Sequence, residues 1–147
     1  MADVALLYIM SNMEYTPTAK QYRTDRHLVY SCQYHVIFCP KYRKPVLKGR
    51  VEERLKELII EGQSKYRYKV LEMEVMPDHV HLLLDVNPKD GIHRVISNLK
   101  GYTSRMLRRE FPELRRKLPS LWTLSRFISS VGAVTLEVVK KYIEGQK

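Results

Sequence analysis

The run YKVLEMEVMPDHVHLLLDV, residues 68–86, constrains the fold more than any other stretch of this chain. Leu71, Met73 and Val75 alternate with Glu72 and Glu74, and Val80, Leu82, Leu84 and Val86 alternate with His79, His81, Leu83 and Asp85. Two runs of period two, separated only by Pro77-Asp78, predict a strand, a tight turn and an antiparallel strand. The aliphatic set of the second strand is the natural core face. His79 and His81 then stand side by side on the opposite face. Two imidazoles so placed can share one cation, or they can be two hydrogen-bonded polar side chains, and spacing alone leaves both open.

The flanking segments extend the pattern. HLVYSCQYHVIF (27–38) predicts a strand with Leu28, Tyr30, Cys32, Tyr34, Val36 and Phe38 on one face and Ser31, Gln33 and His35 on a wetter one. VEERLKELIIEG predicts an amphipathic helix on Val51, Leu55, Leu58 and Ile59, stopping at Gly62. A long helix follows over 91–111, a strand over 121–132 and a short helix over 135–146. The order strand, helix, strand, strand, helix, strand, helix predicts an α+β fold: a mostly antiparallel sheet with packed helices, of the ferredoxin-like or split βαβ type. A chain of 147 residues suits one core. Residues 1–25 lack a regular apolar period and read as a loosely ordered leader to a single domain at 26–147.

Twenty-six Lys+Arg against 16 Asp+Glu, a formal charge of +10, favour a polyanionic partner, nucleic acid above all. No run approaches the ~20 apolar residues of a spanning helix, so no membrane partner is expected. The first residues carry no basic stretch or small-residue cleavage site of a secretory signal. Cys32 and Cys39 match no common zinc spacing and are too few for a disulfide scaffold, which points to a reducing cytoplasm.

Candidate phosphate contacts are Lys41, Arg43 and Lys44 in a Pro-flanked basic loop and Arg105, Arg108 and Arg109 on the long helix, with Tyr42 suited to stacking on an unpaired base. His93, on the same helix, reads as structural. Tyr142 and Gln146, spaced i and i+4, share a flank of the C-terminal helix beside the stripe Leu136, Val139 and Ile143. An edge tyrosine and a solvated glutamine account for them by themselves; beside a cation on the sheet they would also supply a nucleophile and an amide ligand.

The segments YHVIFCPKYRK, MEVMPDHVHLLL, SNLKGYTSRMLRREFP and VKKYIEGQ occur in that order and resemble the single-tyrosine transposases of the insertion-sequence-200/605 type, members of the HUH endonuclease superfamily. HUH denotes histidine, bulky hydrophobic, histidine, here His79-Val80-His81. The resemblance runs from about residue 26 to the C-terminus and departs at Leu124 and Arg126, where such proteins show a proline and a tyrosine.

It implies that Tyr142 attacks a phosphodiester of single-stranded DNA, leaving a 5′-phosphotyrosine and a free 3′-OH. It implies that His79, His81 and Gln146 hold a divalent cation, Mg²⁺ or Mn²⁺. It also implies hairpins at element ends as substrates, and a homodimer whose tyrosine helix acts in trans. Two other readings share the fold: a non-catalytic nucleic-acid-binding module, and a HUH nuclease acting on chromosomal repeat hairpins. The absence of an RNA-recognition submotif weighs against the first, and whether matching hairpins flank the gene or lie scattered would separate the second.

Overall fold

The computed structural model describes residues 22–132, 140, 141 and 143–145. The chain divides after Ser31 into two compact units. In the first, β1 (Arg23–Asp25) and β2 (Leu28–Tyr30) form an antiparallel hairpin, with Arg23 opposite Tyr30 and His27 at φ 61° in the turn.

The second unit runs β3 (Gln33–Phe38), α1 (Arg50–Tyr66), β4 (Tyr68–Met76), β5 (His79–Val86), α2 (Ile92–Glu110), α3 (Pro112–Lys117) and β6 (Phe127–Ser130). Its sheet has the order β4-β5-β3-β6 with every neighbouring pair antiparallel. Strands β3 and β4 therefore run parallel with β5 between them, and β5 and β6 run parallel with β3 between them. These are two split βαβ units, each bridged by a helix, and together they are the predicted ferredoxin-like arrangement.

The core follows the period-two pattern. Val36, Phe38, Val80, Leu82, Leu84 and Val86 face Leu55, Leu58 and Ile59 of α1 and Val95, Ile96 and Leu99 of α2. Each fully buried aliphatic side chain contributes about 1.5–3 kcal/mol relative to exposure. At Gly62 a Cβ would lie 2.6 Å from the Tyr68 hydroxyl, which bonds the Ile59 carbonyl, so the glycine is a point of close approach and α1 continues past it to Tyr66. The helix stops instead at Arg67, whose left-handed backbone (φ 59°) caps it with a bond to the Gln63 carbonyl.

Several sequence expectations are corrected. The strand over 27–38 is broken between Tyr30 and Gln33. Its second face is not wet, because Gln33 and Ile37 are both buried. The strand over 121–132 is confined to Phe127–Ser130: its first half is a loop in which Trp122 bridges to Pro40, meets Phe38 edge-on at 4.7 Å and donates its indole N–H to the Thr103 hydroxyl at 3.0 Å. The sequence predicts strand at Trp122 because an apolar run looks alike in either role. A register shift between Val70 and Glu72 bulges Leu71 out, so Val70 rather than Leu71 packs on the core. The six-residue α3, with Pro112 in its first turn, has no counterpart in the sequence expectation.

Lys100 of α2 is only 7% exposed, and its ammonium donates to the Thr123 carbonyl at 2.6 Å, fastening the loop before β6 to the helix. Burial, and secondarily the Arg126 guanidinium, push its pKa down to about 8 from 10.5. A lowered lysine pKa destabilises the fold while both states are protonated. Between pH 8 and 10.5 only the folded state sheds the proton, so stability rises with pH there. Measured by urea unfolding, the wild type is expected to gain up to about 3 kcal/mol over that window relative to Lys100→Met. Parallel pH profiles for the two proteins would overturn the reading.

Candidate functional site

The β4–β5 turn and the start of β5 present the histidines. His79 pairs with Met76, and His81 lies between Glu74 of β4 and Ile37 of β3. His35 sits opposite Leu83, diagonal to His81 on the same sheet face. There the His35 Nδ1 and His81 Nε2 are 3.0 Å apart. The ring centroids are 5.2 Å apart and the planes only 24° from parallel, so the rings meet nitrogen to nitrogen rather than face to face. One ring donates and the other accepts.

Burial is the main cause that lowers the pKa of both rings; the His35 charge lowers His81 further, and Glu72 only partly opposes the shift at His35. Both are therefore neutral near pH 7, the form that ligates a metal. The expected face is less open than its alternation suggests: His79 and His81 are half-buried, and Leu83 and Asp85 beyond them are buried.

His79 is oriented from its other side. Its Nδ1 lies 2.9 Å from Asp78 Oδ1, and Arg43 Nη2 donates to Asp78 Oδ2 at 2.8 Å. Burial alone would raise the Asp78 pKa, but the hydrogen bonds from His79 and Arg43 outweigh it and hold the carboxyl below its ordinary value. Arg43 reaches the turn because Lys41–Arg43 forms a tight 3₁₀ turn in which Tyr42 (φ 59°, ψ 15°) and Arg43 (φ 51°) are both left-handed. Two hydrogen bonds pin this turn in place, Lys41 N–H to the Leu121 carbonyl at 2.8 Å and Leu47 N–H to the Pro77 carbonyl at 3.0 Å.

The donor set suits a divalent cation in part. With Nδ1 held by a carboxylate, His79 keeps the Nε2 lone pair for a metal, the usual second-sphere arrangement of ligating histidines. Among the described residues no group of three or more His, Cys, Asp or Glu could hold a metal ion. Two imidazoles thus fit part of a divalent cation's shell and leave its other positions to be supplied from elsewhere. Tyr142 and Gln146 lie outside the described residues; around them residues 140, 141, 143 and 144 are helical, as the spacing predicts.

The basic candidates separate into two groups. Tyr42 is 67% exposed with the Lys41 ammonium 5.5 Å from its ring, and Lys44 is exposed. Arg105 and Arg109 are exposed on α2, and Arg105 stands 6.0 Å from the Tyr102 ring. Arg43 and Arg108 are occupied within the fold, the latter donating to the Pro119 carbonyl at 2.9 Å. At the positions where the resemblance departs, Leu124 is 93% exposed, and Arg126 donates to the Ser97 hydroxyl at 3.1 Å and to the His93 ring. Asp78 was not singled out from the sequence because a residue preceding a strand histidine should face away from it; only the turn brings the two together.

Comparison with known proteins bears on the chain as a whole. The family described as Transposase IS200 like matches residues 28–146. The ISDra2 transposase TnpA of Deinococcus radiodurans is 38% identical over 136 residues, covering 91% of this chain and 97% of that protein. The transposase for insertion sequence element IS200 of Salmonella typhimurium is 30% identical over 122 residues, covering 82% of this chain and 80% of its own. A crystal structure of a transposase candidate from D. radiodurans R1 superposes with a TM-score of 0.69 at 34% identity, covering 84% of this chain and 97% of the other. With the histidine pair on the sheet and the match spanning almost the whole ferredoxin-like unit, this chain belongs to the IS200-like transposases, a family of DNA-processing enzymes.

Proposed function

We propose that this transposase cleaves and rejoins single-stranded DNA through a covalent 5′-phosphotyrosine intermediate. The observation that supports it best is the pair of half-buried imidazoles on one sheet face, each with one ring nitrogen already engaged, His79 by Asp78 and His81 by His35.

In this reading Tyr142 is the nucleophile. Its phenolic oxygen forms a bond to phosphorus as the bond from phosphorus to the 3′-oxygen breaks; the phenolic proton is lost and the departing 3′-oxygen gains one. The linkage conserves the energy of the phosphodiester, so a second 3′-OH can reverse the step onto a new strand. His79, His81 and Gln146 are the residues that would hold a divalent cation, Mg²⁺ or Mn²⁺. When bound, the cation neutralises charge on the scissile phosphate and orients it for in-line attack. Lys41 and the exposed Lys44, Arg105 and Arg109 bind the DNA backbone, and Tyr42 stacks on an unpaired base of a hairpin end. The reading includes a homodimer in which the tyrosine helix of one subunit serves the histidines of the other.

Incubating the protein with Mn²⁺ and single-stranded oligonucleotides spanning hairpins near its gene is expected to give a denaturant-resistant protein–DNA adduct that EDTA suppresses. Binding without any adduct, on either strand and with either metal, would leave a DNA-binding module and sink the catalytic reading.

A further inference from the structure

We infer that Arg43 and Asp78 form a positioning relay for His79, so that the basic turn acts on the histidine site from within the fold instead of through contact with DNA. The inference rests on the metal-assisted reading above and assigns Arg43 away from the phosphate contacts that its neighbours make.

Three observations carry it. The first is geometric: Arg43 Nη2 to Asp78 Oδ2 at 2.8 Å and Asp78 Oδ1 to His79 Nδ1 at 2.9 Å use both carboxylate oxygens, one toward each partner. A carboxylate on Nδ1 fixes both the tautomer and the plane of the ring, and thereby aims the Nε2 lone pair. An aspartate held from one side only would be free to rotate about its terminal bond. The guanidinium on the far oxygen removes that freedom.

The second is the backbone. Left-handed conformations at two consecutive non-glycine residues, Tyr42 and Arg43, cost on the order of 1–3 kcal/mol each. Such strain persists only where surrounding bonds over-determine it, and here the Lys41–Leu121 and Leu47–Pro77 bonds do so. The strained turn has the effect of directing Arg43 inward while Tyr42 faces solvent.

The third is exposure: the side chains of Arg43 and Asp78 retain 30% and 33% of their accessible surface, whereas His79 retains 12%. The relay thus runs from a partly wet pair to a nearly enclosed ring. By contrast Lys44, next in sequence, is exposed.

The test titrates Mn²⁺ into the full-length protein and its variants, following free Mn²⁺ by electron paramagnetic resonance. Hairpin-oligonucleotide affinity is measured in parallel in EDTA as a function of salt, and thermal melting checks folding. Asp78→Ala is expected to weaken Mn²⁺ binding about 10–100-fold. Arg43→Gln should weaken it several-fold, with Arg43→Lys restoring part of the loss. Asp78→Asn keeps an acceptor for His79 but loses the charge that holds Arg43, and falls between. In EDTA, Arg43→Gln should keep hairpin affinity within about twofold and leave the salt slope unchanged, whereas loss of a phosphate contact lowers that slope by about one.

Unchanged Mn²⁺ affinity in Asp78→Ala and Arg43→Gln, with wild type binding Mn²⁺, overturns the relay and leaves the proposed function standing. A reduced salt slope for Arg43→Gln with intact Mn²⁺ affinity does the same, and makes Arg43 a DNA contact. If wild type binds no Mn²⁺, the metal-assisted reading fails first and the relay falls with it.

Discussion

Tyr142→Phe is expected to form no covalent adduct with hairpin-bearing single-stranded DNA, a loss on the order of 10⁴-fold or more, while binding the same DNA as well as wild type. The change removes one oxygen and keeps the ring. A nucleophile that forms the covalent bond has no substitute, and removing one in a well-studied hydrolase costs about 10⁶ in kcat. Affinity should be spared because the proposed backbone phosphate contacts lie at other residues. The measurement is a denaturing gel of radiolabelled oligonucleotide with Mn²⁺. Adduct at wild-type yield in the variant would remove Tyr142 from the chemistry and redirect the search to the other nine of the chain's ten tyrosines.

His79→Ala is expected to lower the rate of adduct formation by about 10²–10³-fold, the range measured when one electrostatic stabiliser of a transition state is deleted. The loss should be partly recovered at high Mn²⁺ concentration, since a site with one ligand fewer binds more weakly without losing its shape. His81→Ala should be at least as damaging. It also removes the imidazole bonded to His35, at a further stability cost of about 1 kcal/mol, which makes His79 the cleaner test. Wild-type rates in His79→Ala across the Mn²⁺ range would exclude this histidine from phosphate activation.

Much of this arrangement was legible in the sequence, for reasons that differ by element. The β4–β5 hairpin was readable because period-two alternation and a two-residue turn are both local, and the core face of β5 followed directly. Helices α1 and α2 were readable from their apolar stripes. What could not be read depends on pairing across the sheet. That Gln33 and Ile37 are buried, that Leu71 is bulged out, and that Trp122 leaves the strand to pack on Phe38 are consequences of neighbours distant in the chain. The same holds for the site. His79 and His81 stood out through their spacing, whereas Asp78 looked like an ordinary turn residue and Arg43 like one more cation in a basic loop.

The placement of β5 between β3 and β4 also has a temporal side. Asp78 and His79 are adjacent residues, and their bond needs only the local hairpin, an element that closes within microseconds. The bond between His35 and His81 spans 46 residues and requires β3 to dock on a hairpin already separated from it by the whole of α1. Such distant pairings bear the full entropy of closing the intervening chain. The Asp78–His79 bond is therefore within reach of the nascent hairpin, whereas the His35–His81 bond and the Arg43–Asp78 bond that completes the proposed relay both wait for partners distant in the chain.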